Sequence, residues 1–286
     1  MSRIGIIGGS GLYDIEGLRV IKKEKVKTPF GDPSDEFTLG QYEDKEIIFL
    51  PRHDRAHKIM PSELNYRANI FGMKKLGVER IISLSACGSF KEELKPRDIV
   101  IVDQFVDRTN QARVSTFFGD GIVAHVAFGE PVCPELSLVL YDAAKKTGAD
   151  VHKGGTYVNM EGPAFSTKAE SLLYKSWGMD VIGMTNMPEA RLSREAEICY
   201  STVCFITDYD AWRQTGEVVT LEMIIGNLKK NVDNAKKLIK AAISMMGDER
   251  KCACKDALKG AIITRPEVIS SDVKKRLKMI IGKYVK

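Results

Sequence analysis

The sequence predicts an α/β protein: a single domain with a central mixed β-sheet flanked by helices, followed by a helical C-terminal tail. Short apolar runs of strand character alternate with segments of helical periodicity along most of the chain. Such alternation is typical of a parallel or mixed sheet covered by helices. No internal repeat or low-complexity linker divides the chain. We therefore expect residues 1–250 to form one α/β domain and residues 251–286 a helical extension packed on it.

Each predicted strand is a run of apolar residues that ends at glycine, proline or small polar residues. The predicted strands cover residues 3–7, 46–50, 80–84, 98–106, 155–160, 181–184 and 200–207. The helices are predicted from apolar periodicity and end signals. Ser62 after Pro61 is a candidate N-cap, Thr167 and Glu170 form a capping box, and Pro188 suits a first helical turn. The predicted helices cover residues 62–76, 136–146, 167–178, 188–198, 221–246 and 271–284.

The composition excludes several functional classes. Of the 286 residues, 44% are hydrophobic and 28% are charged, which is ordinary for a globular protein and argues against disorder. The net charge of +5 is spread along the chain rather than gathered in a basic stripe, so we expect no nucleic-acid partner. No window holds the roughly 20 apolar residues of a membrane-spanning helix. The N-terminus also lacks the pattern of a signal peptide, and we expect a cytoplasmic protein with no membrane partner.

A glycine-rich loop follows the first predicted strand. Gly8, Gly9 and Gly11 allow backbone N–H groups to approach an anion closely, and Ser10 adds a hydroxyl donor. A dinucleotide-binding loop would carry glycine where this chain has Asp14, and an acid there would crowd a pyrophosphate. The loop therefore favours a smaller anion, with a plain tight turn as the alternative.

The segment after the second predicted strand concentrates cations and histidines. Arg52 offers a planar fork for phosphate, and His53 adds a directional donor. A solvated loop is one alternative, and a metal site that uses His53 and His57 is another. Hard cations would also want nearby carboxylates, however, and only Asp54 is local.

Other polar or small residues lie where predicted strands end, which is where ligands bind to open α/β sheets. Phe165 is suited to stacking on a planar base, although a core position would also explain it. Asp208 and Asp210 flank an aromatic residue and could serve as a general acid and a hydrogen-bond acceptor, or lie in an exposed turn. The remaining candidates at such positions are Ser85, Ala86, Met184 and Thr185.

The six cysteines are too few for a disulfide scaffold in a chain of this length. Cys252 and Cys254 form a C-x-C pair rather than a C-x-x-C pair, and no histidine follows. A zinc site is therefore not expected from this segment. The other cysteines are Cys87, Cys133, Cys199 and Cys204.

Taken together, these segments resemble the methylthioadenosine phosphorylases, which belong to the trimeric purine nucleoside phosphorylase superfamily. Six motifs carry the resemblance in the same order along the chain from Ile4 to about Trp212. They are Gly8-Gly9-Ser10-Gly11-Leu12, Asn65-Tyr66-Arg67-Ala68-Asn69-Ile70, Ser85-Ala86-Cys87-Gly88-Ser89, Asp103-Gln104-Phe105-Val106-Asp107-Arg108-Thr109, Glu161-Gly162-Pro163-Ala164-Phe165-Ser166 and Thr207-Asp208-Tyr209-Asp210-Ala211-Trp212.

The resemblance implies phosphorolysis: phosphate displaces adenine from 5'-methylthioadenosine and gives 5-methylthioribose 1-phosphate. It also implies that inorganic phosphate is the co-substrate and that neither a cofactor nor a metal is needed. The phosphate ligands implied by the matching positions are Ser10, Arg52, His53, Ser85, Ala86 and Thr185. Met184 would contact the ribose hydroxyls, Phe165 would pack on the base, and Ile224 would line the methylthio pocket.

The implied base contacts predict the substrate. Asp208 would face the purine N7 and Asp210 the 6-amino group. Phosphorylases of 6-oxopurine nucleosides carry Asn at the position of Asp208, and nucleoside-specific relatives present His at the position of Ile224. The sequence therefore favours methylthioadenosine over the alternatives, a methylthioinosine phosphorylase or a broader purine nucleoside phosphorylase. Two departures stand out: Asp54 replaces a usual glycine, and Gly183 stands where some relatives have Asn.

The resemblance also concerns assembly and redox state. His125 matches the residue that family members lend to a neighbouring subunit, which implies a homotrimer, with a homohexamer as the alternative. Heat-adapted relatives form disulfides with comparable cysteines, so Cys133 with Cys204, or Cys252 with Cys254, could be oxidised. Six free thiols are the alternative.

Overall fold

The computed structural model describes residues 3–9, 15–110, 113–213 and 221–286. Within the last range, residues 221, 223, 224 and 228 are described by their backbone alone. Ser10 therefore lies outside the described residues, and so does the side chain of Ile224.

The described strands form one mixed sheet, as the sequence predicts. A continuous path runs β2-β3-β4-β1-β5-β10-β9-β7, and β11 pairs with β5 and with β6, which in turn pairs with β8. The strands are β1 (Arg3–Gly8), β2 (Arg19–Glu24), β3 (Phe37–Tyr42), β4 (Lys45–Pro51), β5 (Val78–Ser89), β6 (Ile99–Ile101), β7 (Gln104–Arg108), β8 (Val151–Lys153), β9 (Thr156–Met160), β10 (Val181–Gly183) and β11 (Cys199–Tyr209).

Helices cover both faces of this sheet. The helices are α1 (Tyr66–Lys75), α2 (Pro134–Lys145), α3 (Lys168–Ser176), α4 (Asn186–Glu195), α5 (Leu221–Met245), α6 (Ser271–Arg276) and α7 (Lys278–Ile281). Helices α1 and α4 contact each other, and α2 packs with α5. Along β1 the side chains alternate between two apolar cores, with Ile4 and Ile6 in one and Ile7 in the other. This alternation is the period of two that a strand imposes.

The C-terminal tail contributes to one of these cores. Its apolar residues lie in the same buried cluster as Phe37 of β3 and Ile198, which precedes β11. The buried tail residues of this cluster are Leu258, Ala261, Ile269, Val273, Leu277, Ile280, Ile281 and Val285. Short range capping also fixes the tail, since the Ser270 hydroxyl accepts a hydrogen bond from the Val273 N–H at 3.3 Å.

Several local predictions are confirmed and others are wrong. The capping box at Thr167 is present and begins α3. Helix α1, however, is capped by Asn65 rather than Ser62, because the Asn65 side chain accepts from the Ala68 N–H while the Ser62 hydroxyl donates to Glu161. The single C-terminal helix predicted for residues 271–284 is interrupted at Leu277, which separates α6 from α7.

The strand predicted for residues 98–106 is two strands with different partners. Strand β6 pairs with β11 and β8, whereas β7 pairs with β9. The chain turns between them because the N–H groups of Asp103 and Gln104 both donate to the Gly155 carbonyl, at 3.2 and 3.3 Å. The chain therefore crosses from one part of the sheet to another at Asp103 and Gln104. No proline or glycine marks this break in the sequence.

Within the described part of the chain, no helix has both the length and the apolar character needed to cross a membrane.

Candidate active site

A gap along one edge of β5 positions the candidate site. Strand β1 pairs with β5 only as far as Ser83, and β10 pairs with β5 at Gly88 and Ser89. The edge of β5 between these partners, which includes Ser85 and Ala86, has no described strand beside it. Ala86 is exposed there. Such a switch between neighbouring strands is where ligands bind in open α/β sheets.

Arg52 enters this gap from the end of β4, and its guanidinium is held by protein groups. Its Nε donates to Glu189 at 2.5 Å, its Nη2 donates to Ser83 at 2.7 Å and to Glu189 at 3.2 Å, and its Nη1 donates to the Leu84 carbonyl at 3.0 Å. These four bonds leave one N–H, on Nη1, for a further acceptor. Burial alone would lower the pKa of Arg52, but the Glu189 carboxylate raises it above its usual value. Arg52 is therefore a fixed cation rather than the open fork that the sequence suggests.

His53 is neutral and has a defined tautomer. Burial, and then the neighbouring Arg52 charge, lowers the pKa of His53 to about 4. Its Nδ1 lies 2.8 Å from the Ile59 carbonyl oxygen, which can only accept a hydrogen bond, so Nδ1 carries the proton. The ring also stacks on His57, with 4.7 Å between centroids. His53 therefore offers Nε2 as an acceptor, whereas the sequence suggested a donor.

Asp54 does not compete for the site. Its backbone has φ 64°, a left-handed conformation that favours glycine and is tolerated by Asp. Its Oδ1 accepts from the Ala56 N–H at 2.5 Å, and its Oδ2 lies 3.9 Å from Lys58. The carboxylate is thus engaged within its own loop.

Thr185 precedes α4 and has a hydroxyl that makes no capping bond with that helix. The Thr185 side chain is buried, with 4% of its surface exposed. In the first turn of α4 the Met187 N–H donates to Asn159 at 3.1 Å and Pro188 has no N–H, so the start of this helix favours an anion mainly through its dipole. Thr185 follows β10, which ends beside the gap in β5.

The two carboxylates predicted to read a base converge above Gly88. A β-carbon placed on Gly88 would lie 3.3 Å from Asp208 Oδ2 and 3.5 Å from Asp210 Cβ. Asp208 lies on β11 after a register shift between Ile206 and Asp208, and the Asp210 N–H donates to the Ser89 carbonyl at 2.9 Å. The bulge in β11 and the end of the strand bring the two acids together. The regular alternation of side chains along a strand does not.

Both carboxyl groups are buried enough to favour the neutral form. Burial raises the pKa of Asp208 to about 6, opposed by a hydrogen bond from the Thr207 hydroxyl and assisted by Asp210. Burial also raises the pKa of Asp210. The Asp210 Oδ2 atom is buried and has no hydrogen-bond partner. Asp210 therefore has an acceptor available for a ligand.

Met184 is fixed by a residue that the sequence analysis did not single out. The Arg113 guanidinium donates to the Met184 carbonyl and to Ser62, and it pairs with Glu161 at 3.1 Å. The Met184 side chain lies over Gly162, where a β-carbon would come within 2.5 Å of its sulfur. Gly162 also has φ 70°, so this close approach requires glycine for two reasons.

Comparisons with known proteins identify the family of the chain. A family model described as the phosphorylase superfamily matches residues 3–244. The chain belongs to this superfamily. It is 56% identical to the S-methyl-5'-thioadenosine phosphorylase of Geobacter sulfurreducens over 282 residues, which covers 99% of each chain. The corresponding enzyme of Koribacter versatilis is 56% identical over 283 residues, covering 99% of this chain and 97% of the relative.

Solved phosphorylase structures share the fold. A methylthioadenosine phosphorylase from an Antarctic soil metagenomic library has a TM-score of 0.93 and 46% identity, with 98% of both chains covered. A mutant adenosine/methylthioadenosine phosphorylase of Schistosoma mansoni in complex with adenine has a TM-score of 0.87 and 34% identity, covering 92% of this chain and 99% of that one. The resemblance to the methylthioadenosine phosphorylases and the predicted mixed-sheet fold are thus confirmed.

Two further residues that the sequence predicts for the site, Phe165 and His125, lie at the surface. Phe165 is 57% exposed, so the alternative of a core position is wrong. Its ring is therefore available to a ligand. His125 is exposed, and its backbone N–H donates to the Ala261 carbonyl at 2.9 Å in the C-terminal tail. The structure does not bring His125 into contact with the described site residues, and its donation to a neighbouring subunit stays a prediction.

Three buried residues escaped sequence analysis. Glu189 is 1% exposed, and its pairing with Arg52 spans much of the chain. Arg113 carries no motif. Tyr157 fills the space beside Gly183, where a β-carbon would lie only 2.0 Å from the tyrosine hydroxyl. The sequence held a signal for Glu189 alone, because it is an acid in the first turn of the helix predicted for residues 188–198.

Proposed function

We propose that this phosphorylase cleaves 5'-methylthioadenosine with inorganic phosphate, releasing adenine and 5-methylthioribose 1-phosphate. The observation that carries the proposal is the pair Asp208 and Asp210 above Gly88, beside an anion site built around Arg52. The full-length relatives named methylthioadenosine phosphorylases support the same reaction.

Phosphate would lie in the gap along β5. The remaining Nη1–H of Arg52, the Thr185 hydroxyl and the start of α4 are its proposed donors, with Ser85, Ala86 and Ser10 completing the set. The neutral His53 ring would accept the P–O–H proton of monohydrogen phosphate through Nε2, which orients an unprotonated oxygen toward the sugar. The fixed positive charge of Arg52 lowers the cost of holding the anion in a partly dry site.

The proposed chemical step is a single displacement. A phosphate oxygen forms the bond to C1', and the C1'–N9 bond breaks with its electron pair passing into the purine. The Asp208 carboxylic acid donates its proton to N7, which neutralises the leaving base. A pKa of about 6 leaves a minority of Asp208 protonated at neutral pH in the free protein. A bound purine would exclude more water and raise that fraction.

The acceptor on Asp210 supports adenine rather than a 6-oxopurine as the leaving base. Its Oδ2 would accept from the 6-amino group, whereas a 6-oxo group would face another acceptor. Phe165 is proposed to pack on the base, Met184 to contact the ribose hydroxyls, and Ile224 to line the methylthio pocket. No cofactor and no catalytic metal enter this mechanism.

We also propose that the active enzyme is a homotrimer, or a homohexamer, located in the cytoplasm. The exposed position of His125 supports its donation to a neighbouring subunit's site.

The test is base release from methylthioadenosine, methylthioinosine, adenosine and inosine, each with and without phosphate. We expect phosphate-dependent release of adenine, fastest from methylthioadenosine. Preference for the inosine forms would overturn the assignment of Asp208 and Asp210. Release without phosphate would overturn the anion site at Arg52.

A further inference from the structure

Four cysteines from three parts of the chain meet at the opposite end of β11 from Asp208. The sulfurs of Cys133, Cys199, Cys252 and Cys254 all lie within 4.8 Å of one another, and those of Cys199 and Cys252 are 3.3 Å apart. We call these residues the four-cysteine cluster. Three of them are buried, and Cys252 is half-buried. The sequence expectation against a zinc site considered the C-x-C pair alone, and the fold supplies two further sulfurs.

The structure does not place Cys133 next to Cys204, so the predicted disulfide between them is wrong. Cys133 packs in the core that contains Cys199, whereas Cys204 packs with Cys87 in a different buried cluster. Successive residues of β11 point to opposite faces of the sheet, so Cys199 and Cys204, five positions apart, lie on different sides.

Contacts of the backbone and of Glu135 hold the segments that carry the four-cysteine cluster. Cys133 is the N-cap residue of α2, and its N–H donates to the Tyr200 carbonyl at 2.8 Å. Cys199 begins β11. Glu135 of α2 accepts from the N–H groups of Lys251 and Cys252, both at 3.0 Å. The body of the protein thus positions the C-terminal segment so that its two sulfurs face the other two.

The spacing of the sulfurs matches a tetrahedral thiolate site. With zinc–sulfur bonds of about 2.3 Å, a tetrahedron places its sulfurs about 3.8 Å apart, between the 3.3 Å pair and the 4.8 Å limit of the cluster. The Leu136 N–H donates to the Cys133 sulfur at 3.5 Å, the kind of outer bond that stabilises a metal-bound thiolate.

We propose that the four-cysteine cluster binds one zinc ion, which fastens the C-terminal segment to α2 and β11. Binding converts four thiols to thiolates and releases four protons, with no oxidant and no change of oxidation state. All four positions around the metal are filled by sulfur, so the site is structural and takes no part in phosphorolysis. A groove lined by Pro134, Gly247, Asp248 and Lys251 opens beside Cys252 and provides a route for the ion.

The test begins with the full-length protein purified under reducing conditions with zinc and then desalted. We expect about one zinc per chain by elemental analysis, as for a closed four-thiolate site, and zinc release when an organomercurial blocks the thiols. Replacing zinc with cobalt(II) should give the intense visible bands of a tetrahedral thiolate complex. Chelation should lower the unfolding temperature.

Cys252→Ser, at the most exposed ligand, should lose most of the zinc, while Cys204→Ala, a cysteine outside the cluster, should keep it. X-ray absorption of the unmodified protein should show zinc bonded to sulfur alone, and this readout does not depend on the folding of a variant. Two outcomes would overturn the proposal: no retained zinc with six free thiols in denaturant, or disulfides within the cluster of the protein purified without reductant. Phosphorolysis measured in parallel keeps failure of the zinc site distinct from failure of the proposed function.

Discussion

At the scale of single residues, the catalytic candidate Asp208 is held in an environment that costs stability. Burial keeps the pKa of its carboxyl group near 6, above the usual value of 3.8. Below the usual value the group is protonated in both states, and its destabilising charge is absent. As pH rises through the folded-state pKa, the native protein must bury a carboxylate that the unfolded chain keeps in water.

Asp208→Asn should therefore separate stability from activity. Turnover should fall by about 10²–10⁴, the range for loss of a general acid, with a smaller change in KM for methylthioadenosine. Above pH 6 the free energy of unfolding should rise by up to about 3 kcal/mol, and below pH 4 the difference from the native protein should vanish. Urea unfolding across pH, together with steady-state kinetics, measures both effects. Asp150→Asn, an exposed acid, is the control, and near-normal turnover in Asp208→Asn would contradict the acid role.

The pair of Arg52 and Glu189 shows a second cost at a single site. Both side chains are almost completely buried, so each charge depends on the other for compensation. Four of the five N–H groups of Arg52 are already bonded to protein groups. The guanidinium therefore has fewer donors for phosphate, but its position is fixed. The arrangement favours a preorganised anion site over a flexible one.

Glu189→Gln should lower the free energy of unfolding by about 3 kcal/mol, because it leaves the Arg52 charge without a buried counter-charge. Phosphate should then raise the unfolding temperature of Glu189→Gln more than it raises that of the native protein, since the bound anion replaces the missing charge. Thermal unfolding in phosphate and in chloride at equal ionic strength measures this difference. Glu267→Gln, at an exposed position, should show neither effect; an equal response of all three proteins would argue against phosphate beside Arg52.

At the scale of elements, the short strand β10 connects the proposed base site to the proposed phosphate site. It pairs with β9 and with the end of β5, and the chain then passes directly through Met184 and Thr185 into α4. Its last residue, Gly183, has no room for a side chain because Tyr157 occupies that space. The glycine that departs from some relatives is thus matched by a tyrosine on the neighbouring strand.

Gly183→Ala should disturb the phosphate site from a distance. The new methyl group would collide with Tyr157, and overpacking of this kind costs about 1–3 kcal/mol. A shift of β10 would displace Thr185, so KM for phosphate should increase more than KM for the nucleoside. Gly129→Ala is the matched control, because a β-carbon there meets nothing within 4 Å. An unchanged phosphate KM in Gly183→Ala would separate β10 from the phosphate site.

At the scale of the whole molecule, the proposed assembly determines how many sites a mixture of variants can restore. If His125 of one subunit serves the site that contains Asp208 of its neighbour, each substitution alone inactivates every site. A mixed oligomer would contain some sites in which both residues are native.

Co-expression of His125→Ala with Asp208→Asn should therefore give more activity than either variant produced alone. Differential tags allow purification of the mixed oligomer, and light scattering gives its mass. Mixing the two variants after purification, without subunit exchange, is the control. A mixed oligomer no more active than its parents would place His125 outside the neighbouring site.

The motifs near strand ends could be predicted from sequence because each is a local pattern. A strand followed by glycine, serine or a charged pair indicates where a ligand can approach the sheet, and Arg52 and Thr185 lie just beyond β4 and β10 as this rule predicts. Asp208 lies near the end of β11, whereas Ser85 lies inside β5, which is longer than the predicted strand and continues to Ser89. Strand β2 could not be predicted in this way. It lies at the sheet edge with most of its residues exposed, so it has no alternating apolar pattern.

The sequence by itself determined the α/β class and the order of its main elements, since these depend on short-range patterns. It also led, through six motifs and the resemblance that they carry, to the candidate residues of the reaction. Only the tertiary structure decided the partners: Glu189 for Arg52, Arg113 for Met184, Tyr157 for Gly183, and two distant cysteines for the C-x-C pair. Those contacts join residues far apart in the chain, and their energy depends on burial and distance. Neither burial nor distance between such residues produces a periodic pattern in the amino-acid sequence.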